Sequence, residues 1–272
     1  MINFKQFLEE QSLVNENVRG QRGLDYENKI YNAIIDADLD FLSPGSKPMA
    51  GFSNQGAGDI EAKLKDKNFN IEVKLSANDQ MGGGSFAYDF KTKKFTPAKP
   101  MDPSDQELLL SAIEPRRTAI DNYILAARKL EPVEYHKNIN GVPIKVAKTG
   151  RDILKQKGLL KEINAKVVTD ASFIAKHYNK KGVYYIQIGG AGLFYMGKNI
   201  LSLPVPPLNG EIQVEIRLAY GGAKGKFPDG TETRIAGLRF QGRLITKGKS
   251  PHTIDTVEGI KKLFKDSTAT LM

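Results

Sequence analysis

Two short segments of alternating character constrain the fold of this chain more than any other feature. Residues 58–64 and 68–76 each alternate apolar and polar side chains, and the loop-type residues 65–67 separate them. Alternation with a period of two is typical of half-buried β-strands. The sequence therefore predicts a β-hairpin over residues 58–76.

The predicted hairpin has one apolar and one charged face, because successive side chains of a strand point to opposite sides. The apolar face would consist of Ile60, Ala62, Leu64, Phe69, Ile71 and Val73. The charged face would bring together Asp59, Glu61, Glu72 and Lys74. Carboxylates at that spacing repel each other unless a cation lies between them, so the pattern predicts a divalent-metal site with oxygen ligands.

The hairpin resembles the PD-(D/E)xK nuclease superfamily, which includes many restriction enzymes, Holliday-junction resolvases and phage exonucleases. The family pattern is an acid at the start of one strand, a short turn, and an acid-x-Lys triplet on the next strand. Asp59 matches the first acid, Glu72 the second and Lys74 the lysine. Gly58 stands where the family name has proline, which is a common variation. The resemblance covers about residues 20–90.

This resemblance implies a mixed α/β (α+β) fold with a restriction-endonuclease-like core sheet flanked by helices. It also implies a nuclease that hydrolyses phosphodiester bonds with Mg²⁺, for which Mn²⁺ can substitute, and that binds no other cofactor. Asp59 and Glu72 would bind the metal, and Lys74 would orient or activate the attacking water. Many members have a further glutamate on a helix before the hairpin, and Glu27 matches it as a catalytic and metal-binding residue.

The residues around Glu27 independently predict a helix. Apolar side chains recur there at helical spacing, and they are Leu24, Ile30, Tyr31 and Ile34. Glu27 falls on the same stripe, where a buried carboxylate needs a cation or a polar partner. The alternative is that Glu27 lies at the solvent edge of a wide stripe and pairs with Arg22 or Lys29.

The acid-x-Lys triplet alone is not specific, because 26% of the chain is charged and the same triplet occurs at residues 27–29, 61–63 and 89–91. The alternative interpretation is an ordinary surface hairpin, in which cross-strand Asp-Lys pairs contribute about 0.2–1 kcal/mol. Glu61 is the reserve acid if the strands pair in a different register.

The net charge favours a polyanionic partner. The chain has 272 residues, with 40 Lys and Arg against 31 Asp and Glu, which gives a net charge of +9. A basic chain with a local acidic cluster fits a nuclease acting on nucleic acid, with DNA expected. The candidate nucleic-acid contacts are Arg19, Arg22, Ser76, Lys93, Lys94, Arg239 and Arg243. The same charge fits a non-catalytic nucleic-acid-binding or virion-associated protein.

The later part of the chain is rich in predicted strands and contains the basic strand face of Arg239 and Arg243. We expect a nuclease core over residues 1–165 and a β-rich region over 166–272, which extends the core or recognises substrate; a single domain is the alternative. Residues 82–84 are consecutive glycines, predicted to form a turn that contacts phosphate, with a flexible loop as the alternative. Residues 91–103 are predicted to form a basic surface loop.

The remaining expectations come from absences and from function. There are no cysteines, and the three histidines lack metal-binding spacing. No apolar run is long enough for a bilayer, and residues 1–10 form an amphipathic helix pattern unlike a signal peptide, so a cytoplasmic protein without a membrane partner is expected. That opening is similar to the starts of many tailed-phage proteins, and a phage protein would act in the host cytoplasm.

Endonuclease action is favoured over exonuclease action, and double-strand cleavage would favour a homodimer.

Overall fold

The structure is a computed structural model with a mixed α+β fold, which confirms the predicted fold class. It describes residues 21–45, 58–65, 67–89, 92–128, 135–137, 143–145, 158, 165–219, 224–226, 232–234, 237–245 and 248–270. The predicted helix over residues 1–10 lies outside these ranges. None of the described helices combines the length and the apolar character needed to span a lipid bilayer.

The chain divides into two compact units that each use discontinuous segments. The first unit comprises Met1–Asp79, Tyr178–Gly210 and Thr246–Met272, and the second comprises Gln80–His177 and Glu211–Ile245. Both units draw on residues before and after residue 165, so their limits do not correspond to the predicted boundary there. Contacts between distant segments, and not chain order, define each unit.

The first unit contains a five-stranded sheet with the strand order β1-β2-β3-β9-β10. The strands are β1 (Leu42–Pro44), β2 (Ile60–Leu64), β3 (Lys67–Lys74), β9 (Val183–Ile188) and β10 (Gly192–Tyr195). Strands β2 and β3 form the predicted hairpin, with Ile60 opposite Ile71. Lys67 belongs to β3 and not to the turn, and Lys65 takes a positive φ of 52° at the turn.

Two helices cover this sheet with apolar stripes. Helix α1 includes residues 21–36, and the last helix, α5, spans Val257–Thr270. The stripe of α1 consists of Tyr26, Ile30, Ala33, Ile34 and the following Ala37, all buried. These side chains share one core with Ile60, Ile71 and Val73 of the hairpin and with Ile260, Leu263 and Phe264 of α5. The predicted helix around Glu27 is thus confirmed.

The second unit contains another five-stranded sheet, with the strand order β5-β4-β14-β11-β8. Its strands are β4 (Met81–Asp89), β5 (Lys94–Pro97), β8 (Ala165–Asp170), β11 (Glu211–Ala219) and β14 (Gly237–Leu244). One face is apolar and buried, with Met81, Phe86, Ile212, Val214, Ile216, Leu238 and Phe240. The other face carries polar side chains of β11 and β14, as alternation in these strands predicts.

The helices of the second unit follow strands β5 and β8. Helix α2 (Pro103–Ile113), a 3₁₀ turn (Glu114–Arg116) and α3 (Arg117–Arg128) follow β5, and the helix α4 (Ser172–Asn179) follows β8. Asp102 caps α2 by accepting a hydrogen bond from the Ser104 amide at 3.1 Å. Tyr178 and Asn179, at the end of α4, belong to the first unit. Two further strand pairs join β6 (Tyr135–Lys137) to β7 (Pro143–Lys145) and β12 (Lys224–Lys226) to β13 (Glu232–Arg234).

Two loop predictions for the second unit are wrong. The glycines at 82–84 lie inside β4, which pairs with β14, and do not form a turn. A Cβ on Gly83 would lie 2.9 Å from Cε1 of Phe173 and 3.2 Å from Cβ of Phe240, so glycine allows close packing at this strand. The predicted basic loop over 91–103 contains strand β5, in which Lys94 pairs with Asp89.

The parallel pairing of β3 with β9 brings distant parts of the chain together. Val73 lies opposite Gln187 and Lys74 opposite Ile188. Directly after β9, the amide of Gly189 donates to the Lys74 carbonyl at 2.8 Å. A Cβ on Gly189 would overlap the carbonyl oxygen of Leu75. A side chain at residue 189 would therefore force the two strands apart beside Lys74.

Replacing Gly189 with alanine is expected to destabilise the protein by about 2 kcal/mol, because overpacking against backbone cannot relax through a rotamer change. Urea unfolding of Gly189→Ala measures this cost. Gly23→Ala is the matched control, since a Cβ there meets nothing within 4 Å and alanine favours a helix by about 1 kcal/mol over glycine. Equal stability of the two variants would contradict the close approach.

Candidate active site

The hairpin register brings Asp59, Glu72 and Lys74 together. Because Ile60 pairs with Ile71 in antiparallel strands, Asp59, directly before β2, lies next to Glu72 of β3, and Lys74 lies two residues beyond Glu72 on the same side. The Lys74 ammonium forms an ion pair with Oε1 of Glu72 and lies 3.7 Å from Oδ2 of Asp59. The three residues that matched the nuclease pattern thus form one charged cluster.

Backbone hydrogen bonds fix this cluster. The amide of Val73 donates to Oδ2 of Asp59 at 2.8 Å, and the Lys74 ammonium donates to the Val73 carbonyl at 3.0 Å. Asp59 is therefore held by the strand that carries Glu72 and Lys74. Gly58 makes this approach feasible, since a Cβ there would lie 2.7 Å from the Ile71 carbonyl oxygen.

The cluster is shielded from solvent, with side-chain exposures of 16% for Asp59, 10% for Glu72 and 15% for Lys74. Burial and the Glu72 charge raise the pKa of Asp59 above its usual range. Burial favours a lower pKa for Lys74, but the carboxylates of Glu72 and Asp59 outweigh it and raise the pKa. Lys74 therefore keeps its positive charge at neutral pH.

Tyr178 is a member of the site that sequence reasoning missed. Its hydroxyl donates to Oε1 of Glu72 at 2.8 Å, and its ring is buried at the end of α4. Glu72 Oε1 thus accepts from both Lys74 and Tyr178, which restricts its rotamer. No local sequence signal marks this contact, because 106 residues separate the two side chains.

Glu27 lies beside the cluster, at the margin of the α1 stripe. Its side chain is half-buried, whereas the neighbouring Tyr26 belongs to the core. Burial is the main cause that raises the pKa of Glu27 to about 7, and the charge of Asp59 adds to it while Lys74 opposes it. Glu61, the reserve acid, pairs with Asn70, two register positions away from Asp59 and Glu72. The observed register therefore favours Asp59 over Glu61.

A buried polar network supports the helix that carries Glu27. The Gln187 side chain of β9 donates to the Tyr26 hydroxyl at 3.3 Å and to Oγ1 of Thr253 at 3.0 Å, and it accepts from the Ile254 amide at 3.1 Å. The Tyr26 hydroxyl donates to Oδ2 of Asp255 at 3.0 Å. The network connects α1, β9 and the segment before α5. The one sequence feature that indicates this network is Gln187 itself, a polar residue near the end of a largely apolar strand.

The chemistry of the donor set fits magnesium better than a metal that needs a full protein cage. Within the ranges that the structure describes, no three His, Cys, Asp or Glu side chains are grouped closely enough to bind one metal ion. Mg²⁺ is commonly held by one or two carboxylates, and its other positions go to water and substrate phosphate. Asp59 and Glu72 supply such a pair. The assignment of Glu27 as a third ligand stays a prediction.

The predicted nucleic-acid contacts are distributed over both units. In the first unit, Arg22 is exposed on α1, and Ser76 is half-buried and bonded through its amide and hydroxyl to Asp79 at 3.0 and 3.1 Å. In the second unit, the exposed residues are Lys93, Lys94, Arg239 and Arg243. Arg19 lies outside the described residues. Their binding roles stay predictions.

The raised pKa of Glu27 predicts a pH-dependent stability. Between the unfolded pKa of 4.5 and the folded value of about 7, the folded state binds the extra proton, so stability falls as pH rises through this window. Glu27→Gln removes the titrating group. The free energy of unfolding of this variant should therefore fall by about 1 kcal/mol less than that of the wild type as pH rises, since partial exposure of the side chain weakens the effect. Urea unfolding from pH 5 to 8 measures it.

An exposed carboxylate of the same unit, changed in Glu258→Gln, serves as the matched control. Its stability profile should run parallel to that of the wild type. A Glu27→Gln profile that also runs parallel would contradict the raised pKa.

The Tyr178 hydroxyl predicts a second effect on stability. Tyr178→Phe leaves the ring in place but removes a hydrogen bond to a charged, buried carboxylate, and such bonds are worth about 2 kcal/mol. Tyr184→Phe removes a hydroxyl that takes part in none of the described hydrogen bonds and should change stability little. Thermal and urea unfolding compare them. Equal losses would show that the Tyr178 hydroxyl does not stabilise Glu72.

Comparisons with known proteins were made against protein-family models, curated proteins and solved structures, and none of the three finds a match. Interpretation of the site therefore rests on its geometry and on the resemblance of its motif.

Proposed function

We propose that the protein is a Mg²⁺-dependent nuclease that hydrolyses phosphodiester bonds in DNA, with endonuclease action favoured. The observation that supports this most is the Lys74 ammonium held between the carboxylates of Asp59 and Glu72 at the ends of two paired strands. Two adjacent acids, of which Glu72 is buried and Asp59 half-buried, and a fixed cation are suited to metal-assisted phosphodiester hydrolysis. Mn²⁺ is expected to substitute for Mg²⁺.

Asp59 and Glu72 are the residues that would hold the metal. When bound, Mg²⁺ supplies Lewis-acid activation of the scissile phosphate and of water. The protein groups fix the carboxylates beforehand, since Asp59 accepts from the Val73 amide and Glu72 from Tyr178. Carboxylates held in one rotamer lose little entropy when a cation binds, and this favours metal affinity. Tyr178 is accordingly a positioning residue in this proposal.

Lys74 acts in the proposal as a cation and not as a general base. Its raised pKa keeps the ammonium charged at neutral pH, so it has no lone pair to accept a proton. A fixed ammonium in a shielded site orients the attacking water and stabilises negative charge that develops on the phosphate. Glu27, with a pKa of about 7, is the group at this site best matched to exchange a proton with water near neutral pH.

The test is cleavage of supercoiled and linear plasmid DNA with Mg²⁺, Mn²⁺ or EDTA. Lys74→Arg keeps the charge that the buried acids need but misplaces it, and Asp59→Asn removes a metal ligand. Each is expected to lower the cleavage rate by about 100-fold or more, the usual effect of losing one preorganised electrostatic group. Nicking of the supercoiled form distinguishes endonuclease from exonuclease action.

Lys63→Arg and Glu61→Gln are matched controls from the same hairpin, and both should cleave like the wild type. Circular dichroism and urea unfolding confirm that all four variants fold. Wild-type protein that binds DNA but cuts no supercoiled, linear, single-stranded or branched substrate with either metal would contradict the nuclease proposal. The non-catalytic nucleic-acid-binding or virion-associated alternative would then be favoured.

A further inference from the structure

The exposed face of the second unit's sheet carries an arginine cluster, defined here as Arg217, Arg239 and Arg243. Arg217 on β11 lies directly opposite Arg239 on β14, and Arg243 lies opposite Gln213 on the same face. Arg239 and Arg243 are exposed, and Arg217 has a side-chain exposure of 40%. Like charges placed directly opposite each other on neighbouring strands destabilise a sheet. Folding alone therefore does not favour this arrangement.

Gln80 holds two members of the cluster close together. With its amide oriented to satisfy its partners, the Gln80 oxygen accepts from Nη2 of Arg217 at 3.0 Å and from Nη2 of Arg243 at 2.8 Å. The Gln80 nitrogen donates to Oε1 of Gln241 at 2.9 Å. A neutral side chain thus bridges two guanidinium groups without cancelling their charge.

One carboxylate partly offsets this charge. Oε2 of Glu215 accepts from Nη2 of Arg217 at 2.7 Å. The other acids of this face within the described residues lie at strand ends, where Asp170 pairs in register with Glu211 and Asp89 with Lys94. The Asp170 carboxylate accepts from the Ser172 amide at 2.7 Å, where helix α4 begins. The centre of the face therefore has an excess of positive charge.

Apart from the exposed Val168, the neighbouring positions of this face are small or polar. Along the sheet they are Thr96, Ala87, Ser85, Gly82, Gln241, Gln213, Lys166 and Val168. This set contains no aromatic ring on which an unpaired base could stack, whereas single-strand binding relies on such stacking. Paired guanidinium groups instead favour bidentate contacts to phosphate oxygens.

We propose that this face binds the phosphate backbone of duplex DNA, with Gln80 as the residue that positions Arg217 and Arg243. The contact is independent of base sequence, since it uses phosphate oxygens and not base edges. This inference deepens the proposed nuclease function by naming duplex DNA as the polyanion that the second unit holds. It rests on that function only for its biological meaning, because the binding itself needs no catalysis.

Fluorescence anisotropy with a labelled 30-base-pair duplex, in EDTA and over a range of NaCl concentrations, tests the proposal. Each phosphate contact contributes about 0.9 to the slope of log K against log salt. Arg239→Gln/Arg243→Gln should therefore lower the slope by about 1.8 and weaken binding about 10-fold or more at low salt. Gln80→Ala should weaken binding while leaving the slope nearly unchanged, because it removes no charge.

Lys198→Gln/Lys261→Gln is the matched control, since it removes two exposed charges from the first unit. Its slope should stay within experimental error of the wild type. If the arginine double variant and the control variant have equal slopes, or lose equal affinity, the proposal is overturned. Tighter binding of a 30-base single strand than of the duplex would overturn the assignment of duplex DNA.

The same measurement separates this inference from the nuclease proposal. A protein that never cuts but shows the arginine-dependent slope supports the binding face and contradicts the nuclease. A protein that cuts while its arginine double variant binds like the wild type supports the nuclease and contradicts the binding face.

Discussion

The solvent-shielded ion cluster of Lys74 with Asp59 and Glu72 is the constraint on which the first unit depends. Removing charges from water costs several kcal/mol per ion, and only close partners and hydrogen bonds offset this cost. Each group of the cluster has such partners in the Val73 backbone and the Tyr178 hydroxyl. The hairpin register and the end of α4 must therefore be correct together, because a shift in either would leave a buried charge unpaired.

Parts of the chain that are distant in sequence hold this cluster in place. Strand β9 pairs in parallel with β3, and Gln187 on β9 connects to Tyr26 of α1 and to the segment before α5. The hydrogen bonds of Gln187 satisfy a side chain that is fully buried and would otherwise be costly. The helix that carries Glu27 is in this way fixed relative to the strand that carries Lys74.

Each unit contains an arrangement that stability alone does not explain. In the first unit, burial and then the charges of neighbouring acids raise the pKa of Asp59 and Glu27. In the second unit, Arg217 faces Arg239 across neighbouring strands. Proteins commonly contain locally destabilising arrangements at sites where a bound ligand offsets the energetic cost. A cation in one unit and a polyanion against the other would supply such compensation.

The sequence by itself determined the hairpin, the helix around Glu27 and the two-faced strand of Arg239 and Arg243, because periods of 2 and 3.6 are local properties. Only tertiary structure decided that residues 82–84 form a strand, since pairing with β14 overrides the local preference of glycine for turns. Likewise, Tyr178 reaches Glu72 and Gln187 reaches Tyr26 of α1 through contacts that span 106 and 161 residues. Such contacts follow from how strands pair and helices pack, and no local pattern of side chains records them.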